Sequence, residues 1–197
     1  PEIRMKLNSL ITPLTIIFLA AILRIVPHSA NFAPITAMAL FGGTYLNRKW
    51  AILIPLAAML VSDYLLLYIN PFAWPSFNFS KIYAPQALIH DTIIAIYISF
   101  IISGLAGLWL KKHKTLPTVI GASLFCSIQF FLISNAAVWI TGMYDRSILG
   151  LWQSYIAALP FFRGTFVGDL FYVSVFFGAW ELSFNFLRKK SQAQITS

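Results

Sequence analysis

The sequence predicts an all-α integral membrane protein with six transmembrane helices in a single domain, residues 1–197. Three observations predict this class. Hydrophobic residues make up 59% of the chain and charged residues only 10%, whereas soluble domains are about a quarter charged. Long apolar runs recur along the chain. The basic residues stand in short clusters between those runs, which is how membrane proteins fix their orientation.

Five apolar runs are long enough to cross a bilayer, because a hydrocarbon core of ~30 Å requires about 20 helical residues. In chain order these runs are residues 9–26, 50–69, 87–110, 118–141 and 164–187. A sixth run, residues 33–46, is shorter and predicts either a short span or a re-entrant segment. Residues 147–159 are expected to form a separate helix in the membrane interface.

The distribution of lysine and arginine predicts the topology. With six spans and the N-terminus inside, the outer loops hold only Lys81 and Arg146. The cytoplasmic segments then hold Arg4, Lys6, Arg48, Lys49, Lys111, Lys112, Lys114, Arg188, Lys189 and Lys190. The positive-inside rule therefore predicts a multi-pass protein of the bacterial cytoplasmic (inner) membrane with both termini in the cytoplasm.

Several partner and cofactor classes are excluded by the same pattern. The net charge of +8 comes from clusters at the ends of apolar runs, so we expect the lipid bilayer and not nucleic acid as the partner of these charges. The single cysteine, Cys126, lies inside an apolar run, and no Cys/His cluster has zinc-ligand spacing. No phosphate-binding Gly-x-x-x-x-Gly-Lys-Ser/Thr motif is present. We therefore predict no metal and no cofactor.

Polar residues inside membrane spans are costly and mark function by default. Asp63, Asn135 and Asp169 each lie about six residues from the outer end of a predicted span, which is about 9 Å of depth. Arg24 and Arg163 stand at outer helix ends. Together these residues predict a polar cavity open to the outside. Its remaining walls and lid are assigned to residues 70–86 and to Trp74, Tyr83, His90 and Trp139.

Each of these residues also has a structural interpretation. Asp63 and Asp169 would then pair with Arg24 and Arg163, and Asn135 would join two helices. His90 would serve as a hydrogen-bond donor, and the aromatic residues would form an interfacial belt. The sequence leaves both interpretations open.

Small residues in the sixth run predict a close helix contact. Ala37, Ala39, Gly42 and Gly43 form the face expected to dock on a partner subunit. The alternative is ordinary packing inside the protein.

Five stretches of the chain resemble an uncharacterised bacterial membrane family that is grouped with the S components of energy-coupling-factor (ECF) transporters. They are residues 24–34, 37–43, 55–63, 134–139 and 158–170. The family motifs fall on Arg24, Asn31, Asp63, Asn135, Arg163 and Asp169. Two departures are Ala33, where the family has threonine, and the absence of an Ala-x-x-x-Ala pattern in the first span.

The resemblance implies the six-helix S-component fold and a function in vitamin uptake. Such proteins bind a vitamin or similar micronutrient in an outward pocket and dock on a coupling subunit driven by two ATPases. Because the docking pattern of the first span is absent, a protein that works alone is the other option.

The residues themselves leave two further functions possible. One is an assembly or interaction protein without a ligand. The other is an intramembrane hydrolase using His90, Asp91 and Asp63, although no Gly-x-Ser-x-Gly or His-Glu-x-x-His motif is present. We expect a binding protein and not an enzyme.

Overall fold

The computed structural model describes residues 2–26, 28, 31–69 and 91–196. Over these residues the chain is helical and contains no strand, which confirms the predicted all-α class. The six helices are α1 (Glu2–Leu23), α2 (Ile35–Tyr45), α3 (Leu53–Leu66), α4 (Ile93–Leu110), α5 (Leu116–Ile140) and α6 (Ile148–Thr196). Trp74, Tyr83, His90 and the predicted lid, residues 70–86, lie outside the described residues.

Each predicted apolar run overlaps a helix, but among the residues that the structure describes only three helices are long and apolar enough to cross a membrane. These are α4, α5 and the part of α6 from Ile148 to Lys189. The apolar part of α1, Ile11–Leu23, and helix α3 are shorter. Helix α2 has 11 residues, about 16 Å at 1.5 Å per residue, or roughly half of a hydrocarbon core.

Helices that are consecutive in the chain alternate in direction, so α1 and α3 run parallel. The last turn of α1 meets the last turns of α3 through Arg24 and Asp63, and α5 runs back along α6 from Ser127 opposite Asp169. The bundle therefore has two ends. We call the end with residues 46–52 and 111–115 the basic end, because Arg48, Lys49, Lys111, Lys112 and Lys114 lie there. The opposite end is the Arg24 end.

Helix α2 lies at the centre of the bundle and contacts each of the other five helices. Its residues from Thr36 to Thr44 are all buried. A Cβ added to Gly43 would lie 2.2 Å from the carbonyl oxygen of Gly104, and one added to Gly107 would lie 2.3 Å from the carbonyl oxygen of Leu40. Only glycine permits the backbones of α2 and α4 to approach this closely.

Helix α6 differs from the sequence prediction. Residues 147–159 were expected to form a separate interfacial helix, but α6 continues without a break from Ile148 through Pro160 to Thr196. Its first part packs along α5, where the Ser154 hydroxyl donates to the carbonyl of Asn135 at 2.8 Å and the Tyr155 hydroxyl to that of Leu132 at 2.9 Å. These contacts hold the first turns of α6 against α5.

Candidate functional site

Arg24 and Asp63 form an ion pair at the Arg24 end of the bundle. The guanidinium Nη2 lies 2.5 Å from Asp63 Oδ1, and the other carboxylate oxygen accepts from the Tyr97 hydroxyl at 2.8 Å. The two side chains are 10% and 22% exposed. This group, together with Ser62, is called the Arg24 cluster. The two charges neutralise each other where α1, α3 and α4 meet.

Ser62 extends the hydrogen bonding of the Arg24 cluster. Its hydroxyl accepts from Arg24 Nη1 at 2.5 Å and donates to the carbonyl of Met59 at 2.8 Å. A hydroxyl has a single proton to donate. Ser62 forms both bonds at once because it gives its proton to the Met59 carbonyl and accepts a proton from Arg24.

Asp169 forms a second polar centre and is only 1% exposed. The Ser127 hydroxyl of α5 lies 2.7 Å from its Oδ2, and the Thr36 hydroxyl at the start of α2 lies beside the carboxyl. We call these three residues the Asp169 cluster. Within the described part of the chain, no lysine or arginine forms an ion pair with Asp169.

The Arg163–Asp169 pair that the sequence left open is not formed. Six residues correspond to about 1.7 helical turns, so the two side chains leave α6 on different sides. Arg163 is exposed, whereas the neighbour of Asp169 on its own helix, Gly168, packs against Phe32. A Cβ at Gly168 would lie 3.2 Å from the Phe32 Cα.

A polar network continues from the Asp169 cluster along the α4–α5 contact. The Gln129 amide nitrogen lies 3.0 Å from the carbonyl of Ser99, 3.1 Å from the Ser103 hydroxyl and 3.1 Å from the carbonyl of Cys126. Two buried atoms of α5, Ser123 Oγ and Gln129 Oε1, have no hydrogen-bond partner. Since such atoms are rare in folded proteins, this network has unused capacity for a further donor and acceptor.

The other predicted residues at the Arg24 end adopt a special backbone conformation or donate hydrogen bonds to backbone carbonyls. Asn31 is exposed and has a left-handed backbone with φ of 59°, which asparagine tolerates better than most residues. The Asn135 side chain donates to the carbonyl of Phe131 in its own helix at 2.8 Å. The Trp139 indole donates to the carbonyl of Asp145 at 2.9 Å and so bridges the α5–α6 turn.

Asp63, Asn135 and Asp169 bond to different partners in the described part of the chain. Asp63 belongs to the Arg24 cluster, and Asp169 lies opposite Ser127 of α5. Asn135 is eight positions along α5 from Ser127, or about 12 Å. Helix α6 begins at Ile148, well before the predicted span, so the sixth span has no helix end near Arg163 from which the depth of Asp169 could be counted.

The four residues predicted to dock on a partner are buried inside the protein. Ala37 is 0% exposed and Ala39 is 1% exposed. A Cβ at Gly42 would lie 2.3 Å from Pro55 Cγ of α3, and Gly43 packs on α4. In this structure these four small residues therefore pack α2 against its neighbouring helices. This is the internal packing that the sequence also allowed.

The basic end carries a pocket of about 300 Å³ that the sequence analysis did not anticipate. Lys114 Nζ pairs with Glu181 Oε1 at 2.5 Å and lies 4.8 Å from the centre of the Tyr45 ring. Lys111 Nζ donates to the carbonyl of Leu46 at 2.9 Å, and Trp180 forms an aromatic wall with Tyr45. These residues come from α2, the α4–α5 turn and α6, so no pattern of spacing in the sequence brings them together.

Among the described residues, no group of three or more His, Cys, Asp and Glu side chains could hold a metal ion. The chain matches a family of unknown function, DUF6580, over residues 5–193. It belongs to the DUF6580 family. Neither a curated protein nor a solved structure matches this chain, and nothing in these comparisons links the family to S components of ECF transporters.

Proposed function

We propose that this DUF6580 protein is a membrane-embedded uptake component that binds a vitamin or similar small micronutrient from the Arg24 end. The observation that supports this function is the burial of Asp169 without a cationic partner among the described residues. Ionisable groups within membrane spans are costly, and they commonly mark solute or ion pathways. The Arg24–Asp63 pair needs no such explanation because its charges cancel.

The proposed orientation places the basic end in the cytoplasm. The positive-inside rule favours this placement because Arg48, Lys49 and the lysines of residues 111–114 all lie at that end. The chain would then cross the bacterial inner membrane several times with both termini inside. An S-component-like fold, with or without an ATPase-driven coupling subunit, is part of this proposal and is supported by the motif resemblance alone.

Arg163 favours a solute that carries an anionic group. It is exposed and takes part in neither ion pair of the described residues. Because Arg24 is already neutralised by Asp63, Arg163 supplies a positive charge on the part of α6 that lies toward the Arg24 end. Arginine binds carboxylate and phosphate groups through two parallel hydrogen bonds.

The test is mass spectrometry of small molecules that co-purify with the protein in lipid nanodiscs. We expect one anionic compound to be retained by the wild type and by Arg146→Gln, a control arginine in the α5–α6 turn. Arg163→Gln should lose it while remaining folded and monodisperse. Equal retention by both variants would exclude Arg163 from the site.

A second function, an assembly protein without a ligand, is favoured by the internal closure of the Arg24 cluster. It predicts that no small molecule is enriched in any preparation. Recovery of protein partners from cross-linked membranes, without a retained compound, would favour assembly over uptake.

A further inference from the structure

The Asp169 carboxyl lies in an environment that disfavours a negative charge. It is 1% exposed, and its polar neighbours are neutral hydroxyl groups. A carboxylate removed from water without a cation pays a large desolvation cost, and such groups commonly become neutral instead. Burial alone therefore favours the protonated acid.

The hydrogen bonds of Ser127 lead to the same protonation state. Its oxygen lies 3.1 Å from the carbonyl oxygen of Ser123 and 2.7 Å from Asp169 Oδ2. The Ser123 carbonyl can only accept, and the Ser127 hydroxyl has one proton to donate. One hydroxyl proton cannot form two full-strength hydrogen bonds, so both contacts are fully satisfied when Asp169 carries a proton and donates it to Ser127.

We propose that Asp169 is a proton-binding site, a neutral carboxylic acid that donates to Ser127 in this state of the protein and can release its proton. This goes beyond solute uptake, since the protonation state belongs to the protein without any solute. The polar and titratable groups that interact with it are Thr36 of α2 and Cys126 and Ser127 of α5. The arginines closest to it along the packed elements are Arg24, which follows α1, and the exposed Arg163 of α6. The charge of Arg24 is neutralised by Asp63.

Release of the proton requires only a local change. The proton passes from Asp169 Oδ2 to a water molecule, which leaves a carboxylate and a hydronium ion. The Ser127 hydroxyl then turns from the Ser123 carbonyl to donate to the carboxylate. The Ser123 carbonyl keeps the backbone hydrogen bond that it accepts within α5, so one hydrogen bond is lost and the helix is retained.

The test is infrared spectroscopy of the full chain in liposomes as a function of pH. We expect the carbonyl band of a protonated carboxylic acid at pH 7 in the wild type. The band should be absent from Asp169→Asn and retained in the matched control Asp63→Asn. An absent band in the wild type, or an unchanged band in Asp169→Asn, would overturn the proposal.

Ser127→Ala provides a second variant if Asp169→Asn does not fold. Loss of the acceptor should shift the acid band to higher frequency, whereas an unshifted band would overturn the donation to Ser127. Replacing Na⁺ by choline should leave the wild-type band unchanged. A band that appears only without Na⁺ would mean that the cluster binds a metal cation, and this would also overturn the proposal.

Discussion

The Arg24 cluster and the Asp169 cluster use the same serine arrangement around aspartates of opposite character. In each, a serine hydroxyl lies within hydrogen-bond distance of a carbonyl of its own helix and of a neighbouring side chain. Ser62 accepts from the Arg24 guanidinium, which leaves Asp63 ionised and paired. In the proposed protonated state, Ser127 accepts from Asp169, whose Oδ2 lies 2.7 Å away. The partner of the serine therefore decides whether the buried aspartate is stabilised as an anion or as an acid.

The largest difference between the clusters should appear on replacing each aspartate by asparagine. Asp63→Asn leaves the Arg24 charge unneutralised in a buried site and should destabilise the protein by on the order of 2 kcal/mol. Asp169→Asn keeps a neutral donor of similar shape and should change stability by less than about 0.5 kcal/mol. Thermal unfolding in one detergent compares them. Equal losses would show that both aspartates are ionised.

The second-largest difference between the two clusters should appear in the pH dependence of the free energy of unfolding. At pH 7 the native state would hold the Asp169 proton, whereas an unfolded aspartate with a pKa near 3.9 has lost it. Stability therefore falls as pH rises whenever the native state binds more protons. Between pH 5 and pH 8 we expect this fall in the wild type and in Asp63→Asn, and a flatter curve in Asp169→Asn. A wild-type curve as flat as that of Asp169→Asn would contradict the assignment.

Tyr97→Phe should have a smaller effect. It removes one hydroxyl donor from Asp63 while the ion pair with Arg24 remains, so we expect a loss of about 1 kcal/mol. The control is Tyr155→Phe, whose hydroxyl bonds to the carbonyl of Leu132 at an exposed position. Chemical denaturation should rank Tyr97→Phe as the more damaging change, and the reverse order would remove Tyr97 from the cluster.

The smallest effect should come from the ion pair at the basic end. Lys114 and Glu181 are 35% and 47% exposed, so solvent screens their attraction. Glu181→Gln should cost less than about 1 kcal/mol and should lose even this effect in high salt. The loss caused by Asp63→Asn should persist in the same salt titration. If both losses vanish with salt, the Arg24 cluster is as accessible to ions as the basic end.

Much of the fold could be predicted from local sequence, but the assembly of the polar sites could not. Apolar length located all six helices, since hydrophobic runs persist whatever packs against them. The sequence left open whether Asp63 and Asp169 pair with Arg24 and Arg163 or line a cavity. The structure forms the Arg24–Asp63 pair and does not form the Arg163–Asp169 pair. The start of α6 could not be predicted, because the helix continues through Pro160 from Ile148 and so begins earlier than the apolar run suggested.

The sequence by itself determined that the protein is helical, rich in membrane-spanning character and basic at alternating loops, because these properties depend on composition and order alone. Only the tertiary structure decided that the small residues of α2 are used inside the bundle, and that Arg24 meets Asp63 while Asp169 meets Ser127. Those outcomes depend on which helix faces which neighbour. A buried charge or proton is stabilised by atoms far away in sequence, and only packing brings them within hydrogen-bond distance.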